Sequence, residues 1–116
     1  MSAISIYHNP RCSKSRQTLA LLEQQGVKPE IVEYLKTPPT ADELDTILGQ
    51  LGINARELLR KTEAIYKELN LADKTLTDQQ LIQAMCEHPK LIERPIVIHN
   101  GKAKIGRPPE AVLEII

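Results

Sequence analysis

Ile4-Ser5-Ile6-Tyr7-His8-Asn9-Pro10-Arg11-Cys12-Ser13-Lys14-Ser15-Arg16-Gln17-Thr18-Leu19 is the stretch on which the reading of this chain turns. Ile4, Ile6 and Tyr7 fit a short strand over about 3–8, and Asn9-Pro10 stops it. Beyond Cys12 the apolar spacing switches to Leu19, Leu21 and Leu22, which is helical. A helix is expected over roughly 14–25, with Gly26 as its C-cap. Cys12 then stands where strand turns into helix, beside the first orphan N–H groups and the positive end of the helix dipole. Arg11, Lys14 and Arg16 add cations, and such surroundings lower a cysteine pKa from about 8.5 to roughly 3.5–7.5. A thiolate there is a nucleophile, and the same loop can hold an oxyanion on its N–H groups. The plainer reading makes Cys12 a small buried apolar residue. Pro10 and the charges at 11, 14 and 16 argue instead for an exposed loop and a reactive thiol. Cys12-Ser13-Lys14-Ser15 is not C-x-x-C, so a redox cycle needs a thiol from elsewhere.

Working outward, Gly26 and Pro29 lead to a second strand over 31–35, closing a βαβ unit with a right-handed crossover. Thr37-Pro38-Pro39 ends it. From about 40 to 90 the pattern is helical. Thr40-Ala41-Asp42-Glu43 is a capping box before a helix with Leu44, Ile47, Leu48 and Leu51 inward, closed by Gly52. Asn54 to Glu57 repeats the signal ahead of Leu58 and Leu59. A further turn or helix carries Ile65, Tyr66 and Leu69. Thr77 to Gln80 caps a helix that turns Leu81, Ile82 and Met85 inward, and His88-Pro89 stops it. Ile96-Val97-Ile98, Asn100-Gly101 and Ala103-Lys104-Ile105 form a hairpin, because a type I′ turn needs φ > 0 at both centres. Gly106 to Pro109 leads into a short terminal helix with Val112, Leu113 and Ile116.

The 116 residues suit one domain with a real core, and 41% apolar with 26% charged residues is ordinary globular composition. With three Tyr, no Phe and no Trp, the core rests on Leu, Ile and Val, and a base-stacking surface is hard to assemble. Fifteen basic residues against fifteen acidic give zero formal charge. No nucleic-acid partner and no membrane partner is therefore expected. No stretch approaches the roughly 20 apolar residues of a span, and the first residues lack the form of a leader. A soluble cytoplasmic protein is expected, and two cysteines fit a reducing compartment better than a disulfide scaffold.

Asn9-Pro10-x-Cys12-x-x-Ser15-Arg16 resembles the active-site loop of the glutaredoxin-coupled arsenate reductase family. The likeness continues at Leu59-Arg60-Lys61, at Arg94-Pro95-Ile96-Val97 and at Gly106-Arg107-Pro108, and spans essentially the whole chain in the same order. It implies an α/β thioredoxin-like fold: a mixed four-stranded sheet with an all-helical insertion at about 40–90, in a single domain over 1–116. Such folds place a cis-proline against the nucleophile loop, which here is Pro95. The resemblance further implies that Arg60, Arg94 and Arg107 hold arsenate or a similar oxyanion, whose oxygens guanidinium forks match bidentately. Cys12 attacks arsenic(V), glutathione joins the adduct as co-substrate, and glutaredoxin completes reduction to arsenite. No tightly bound cofactor and no metal is implied. Ser15 and Arg16 are candidates for tuning the thiolate. His8 tunes the thiolate or stabilises it as an imidazolium, or is instead a surface residue at a strand end. Cys86 lies on the Ile82–Met85 side of its helix, with burial as the default and no activation beside Glu87. Gly106 stands where some members carry a cysteine, so no second thiol is available there, and the sequence ends at Ile116 without the longer tail of some members.

Two further readings compete. A general thiol oxidoreductase or deglutathionylating protein fits the same fold. An Spx-type redox-sensing regulator that binds RNA polymerase also resembles the family. Such regulators typically carry C-x-x-C, and Ser15 occupies the last position here.

Overall fold

The computed structural model describes residues 4–116, so the expected start of the first strand at residue 3 lies outside the described residues. The chain divides into two compact units. One comprises the residues up to Thr37 together with Arg94–Ile116, and the other is Pro38–Glu93.

The first unit is built on a mixed four-stranded sheet. Strands β1 (Ile4–Tyr7), β2 (Glu30–Val32), β3 (Ile96–His99) and β4 (Lys102–Ile105) lie in the order β2-β1-β3-β4. β1 pairs parallel with β2 through Ile6 opposite Ile31, and antiparallel with β3 through Ile6 opposite Val97. β3 and β4 form the hairpin, turned by Asn100 (φ 55°) and Gly101 (φ 77°), both left-handed as a type I′ turn requires. Helix α1 (Ser13–Gln24) carries the crossover between β1 and β2. Ile6, Leu22, Val97 and Val112 are fully buried, with Leu19, Leu21 and Ile115 packed against them. Burying one such side chain contributes about 1.5–3 kcal/mol.

One expectation needs correction. The second strand stops at Val32 rather than reaching 35, because the Glu33 carbonyl accepts N–H groups from both Lys36 (2.9 Å) and Thr37 (3.0 Å) and curls the chain. Tyr34 is fully buried from that turn. The expected short terminal helix is present over Pro109–Ile115 and is of the 3₁₀ type. Pro108 and Pro109 bring no N–H, and the Ala111 N–H closes on the Pro108 carbonyl, three residues back.

The second unit is helical: α2 (Ala41–Leu51), α3 (Ala55–Leu58), α4 (Ala64–Glu68) and α5 (Asp78–Glu87), followed by a 3₁₀ turn, Pro89–Leu91. Reciprocal capping boxes open α2 (Thr40 with Glu43), α3 (Asn54 with Glu57) and α5 (Thr77 with Gln80). Each cap stabilises its helix by about 0.5–2 kcal/mol. Gly52 ends α2 in the left-handed region, φ 73°. Leu44, Ile47 and Leu48 of α2 are buried, while Leu51 is half-buried. Leu81, Ile82 and Met85 of α5 are buried too, and α4 buries none of its side chains.

Candidate active site around Cys12

Cys12 is the N-cap residue of α1 (φ −95°, ψ 123°), with extended backbone that delivers its side chain to the start of the helix. The loop before it is tied into a turn. The Cys12 N–H donates to the Asn9 carbonyl (3.0 Å), the Arg11 N–H to Asn9 Oδ1 (3.0 Å), and Arg16 Nη1 to the Pro10 carbonyl (2.8 Å). Arg16 thus braces the loop, and Arg11, Lys14 and Arg16 are exposed.

The surroundings of the sulfur differ from the sequence expectation in one respect. Pro10 and Arg11 are exposed, but Cys12 itself is only 9% exposed. Its sulfur faces the first turn of α1 and two arginines of the β3 and β4 ends. Arg107 Nη2 lies 3.8 Å from Sγ, donating to it. Burial is the largest single influence on the thiol and opposes ionisation. The Ser15 N–H, the Arg94 guanidinium through both hydrogen bonding and charge, and the Lys14 N–H act the other way. They prevail, and the pKa lies below the ordinary thiol value. No side-chain cap bond that meets hydrogen-bond geometry forms at Cys12. The cation that lowers the pKa is therefore Arg94, not the three loop cations that the sequence pointed to.

Arg94 and Arg107 are brought together by their backbones. The Arg94–Pro95 peptide is cis, and so is Arg107–Pro108, which the sequence reading did not single out. The repeated Arg-Pro dipeptide was the available signal. Arg107 Nε donates to the Arg94 carbonyl (2.9 Å), and the Gly106 N–H donates to the Pro95 carbonyl (2.9 Å). A β-carbon on Gly106 would fall 2.5 Å from Thr18 Oγ1 and 2.8 Å from Pro95 Cγ, so this close approach needs glycine.

His8 is 6% exposed, so it is not at the surface, as one of its two expectations had it. Burial is the largest influence on its pKa and lowers it, Arg16 adds to this, and Glu33 opposes without prevailing, so the neutral ring is favoured over an imidazolium. Its Nδ1 is 2.7 Å from Ser15 Oγ, which also accepts the Asn9 N–H at 3.0 Å. The fully buried Ser15 hydroxyl joins the end of β1 to the first turn of α1. Thr18, one turn on, is also fully buried and donates to the Lys14 carbonyl (2.8 Å). Sequence reasoning passed over Thr18 because small polar residues on a helix carry no apolar signal.

In the helical unit, Arg60 is held by carboxylates of that unit: Nη1 to Glu63 Oε2 at 3.4 Å and Nε to Glu93 Oε1 at 3.5 Å, with the arginine side chain 17% exposed. Its backbone N–H donates to Leu91 O (2.8 Å) beside the Leu59–Ile92 bridge. Cys86, half-buried, has its thiol pKa raised by burial first, then by Glu87 and Glu43. Among the described residues no three metal-ligating side chains cluster, and no helix is long and apolar enough to cross a membrane.

Residues 7–115 match the ArsC family. The chain is 63% identical over 114 residues to the uncharacterized protein YfgD of Escherichia coli, covering 97% of this chain and 96% of that one. It is 52% identical over 115 residues to an arsenate reductase of Haemophilus influenzae, covering 98% and 99%. Among solved structures, an arsenate reductase from Vibrio cholerae superposes with a TM-score of 0.96 at 58% identity, covering 98% of each chain.

Proposed function

The chain belongs to the ArsC family, and from that premise we propose how it acts as an arsenate reductase, an oxidoreductase built on one reactive cysteine. The observation that carries the reading is the Cys12 sulfur, low in pKa and within 3.8 Å of Arg107, in the field of Arg94. The Cys12 thiolate attacks arsenic(V), forms an S–As bond and expels hydroxide, which leaves as water once protonated. Arg94 and Arg107 offset charge on the remaining oxygens, with bidentate forks that a tetrahedral oxyanion accepts.

Glutathione then displaces a second oxygen and gives an arsenic bonded to two sulfurs. A glutaredoxin thiolate attacks the glutathione sulfur. The S–As electron pair passes to arsenic, which becomes arsenic(III), and glutathione leaves as a mixed disulfide with glutaredoxin. Water releases arsenite and restores the Cys12 thiol. This chemistry belongs in the cytoplasm, where thiols are kept reduced. We read the 116 residues as one domain with the helical block as its insertion. The buried Ser15 hydroxyl, engaged by His8 and Asn9, disfavours an Spx-type switch, which needs a second thiol at that position.

The test is an NADPH-coupled assay with glutathione, glutathione reductase, glutaredoxin and arsenate. Arsenate-dependent NADPH oxidation that vanishes in Cys12→Ser is expected. Full thiol reactivity of Cys12 without arsenate turnover would overturn the assignment.

A further inference from the structure

The loop that carries Cys12 borders a second concavity. A cleft of about 200 Å³ opens between that loop and the turn after β2, lined by His8, Asn9, Pro10, Arg11, Glu33 and Leu35, with Lys36 at its rim. That is below the roughly 300–1,000 Å³ of pockets that enclose a drug-sized ligand, so the cleft takes one arm of a small molecule.

Its chemistry is mixed in a specific way. Pro10 and Leu35 supply an apolar strip, and Leu35 is among the large apolar side chains left open, at 36% exposure. Arg11 projects from a turn fixed by the bond from its own N–H to Asn9 Oδ1 (3.0 Å), and among the described residues its guanidinium makes no ion pair. Lys36 and Glu33 pair across 3.6 Å on an exposed surface, an interaction weak enough for either to turn to a ligand. The cleft therefore offers a guanidinium, an ammonium and a carboxylate around an apolar strip, on the nucleophile's own loop.

We infer that this cleft seats the thiol donor: a small zwitterionic peptide thiol, its carboxylate on Arg11 and Lys36, its ammonium on Glu33 and its aliphatic stem on Pro10 and Leu35. The inference rests on the thiol-dependent reading above. That reading requires a second sulfur, and Cys86, the other cysteine of the chain, shows no activation. The donor comes from solution, and a charged cleft on the Cys12 loop selects a zwitterionic thiol over an uncharged one.

The experiment uses S-methylglutathione, which keeps the charges of glutathione but cannot react. Titrated into the wild-type protein, it should give saturable amide shifts at Asn9, Arg11, Leu35 and Lys36. Arg11→Gln and Leu35→Ser alter open side chains, and each should raise the KM for glutathione at least fivefold. Cys12 alkylation by iodoacetamide should stay within twofold in both. Turnover driven by 2-mercaptoethanol, which has no charges to seat, should be indifferent to both substitutions. An unchanged glutathione KM in both variants, shifts confined to other residues, or equal losses with both donors would overturn the inference. A wild type that binds S-methylglutathione in this cleft yet reduces no arsenate would sink the arsenate reading and leave the cleft standing.

Discussion

Cys12 and Cys86 are the same side chain in two surroundings, and both are substantially withdrawn from water. Burial pushes both thiols toward the neutral form. At Cys12 the penalty is overcome by helix N–H groups and Arg94, whereas at Cys86, on the last turn of α5, Glu87 and Glu43 add to it. The sequence cue was exposure of a cationic loop; the operative cause is a small number of donors aimed at a covered sulfur. A reactive cysteine is thus better recognised by what points at it than by how open it is.

The largest test of this contrast is removal of each sulfur. Cys12→Ser should abolish arsenate turnover and Cys86→Ser should leave it nearly intact, as measured in the coupled assay on folded protein. Comparable losses in both would point to an internal disulfide cycle. A smaller effect is expected from the arginines. Arg94→Lys and Arg107→Lys keep the charge but lose the planar fork, so arsenate turnover should fall by well over tenfold, that is by more than about 1.4 kcal/mol of barrier. Reaction with iodoacetamide, which has no oxyanion to hold, should change far less. Equal falls in both rates would mean that the arginines only tune the thiol.

Next comes the support beneath the sulfur. Ser15→Ala leaves the Asn9 N–H and His8 Nδ1 without their shared partner, at a cost of about 1–3 kcal/mol in urea unfolding. A neutral result would show that the hydroxyl does not fix the first turn of α1.

The smallest effect is on the pH dependence of stability, and its sign differs between the cysteines. For Cys12 the folded pKa lies below the unfolded one, so between them the unfolded chain binds more protons and stability rises with pH. Its contribution is present above the unfolded pKa and lost as pH falls through the folded value. For Cys86 the folded pKa lies above, so its contribution is present below the unfolded value and lost as pH rises through the folded one. Urea unfolding from neutral to alkaline pH should therefore lose its upward component in Cys12→Ser and its downward component in Cys86→Ser. The same slope change in both variants would contradict the contrast.

Much of the fold was legible because its signals are local. Thr40, Asn54 and Thr77 each meet a partner three residues on, and Asn100-Gly101 defines its turn alone. The position of Cys12 at the head of α1 was equally readable. What escaped depends on residues distant in sequence. Nothing near Cys12 announces that Arg107, 95 positions away, covers its sulfur. Nothing near Arg60 announces that Glu93 shares its guanidinium. The burial of Ser15 and Thr18 was not readable from spacing, because a small hydroxyl carries no apolar signal and the partners of Ser15 lie at the end of β1, in a different element. The Arg94–Arg107 pairing was suggested by family resemblance, not by spacing.

The close approach at Gly106 bears on mutational accessibility. A single nucleotide change can turn a glycine codon into a cysteine codon, and here that step would add a sulfur one residue before Arg107, which donates to Cys12 Sγ. Packing closes this short route, because the new β-carbon would fall within 2.5 Å of Thr18 Oγ1. Thr18 Oγ1 also donates to the Lys14 carbonyl in the turn that presents Cys12. A lineage that gained a thiol at 106 would first need to replace or re-turn Thr18 and to shift the Pro95 ring, 2.8 Å from the same β-carbon. The order of two substitutions, more than the usefulness of either, then governs whether such a chain can supply its own second electron donor.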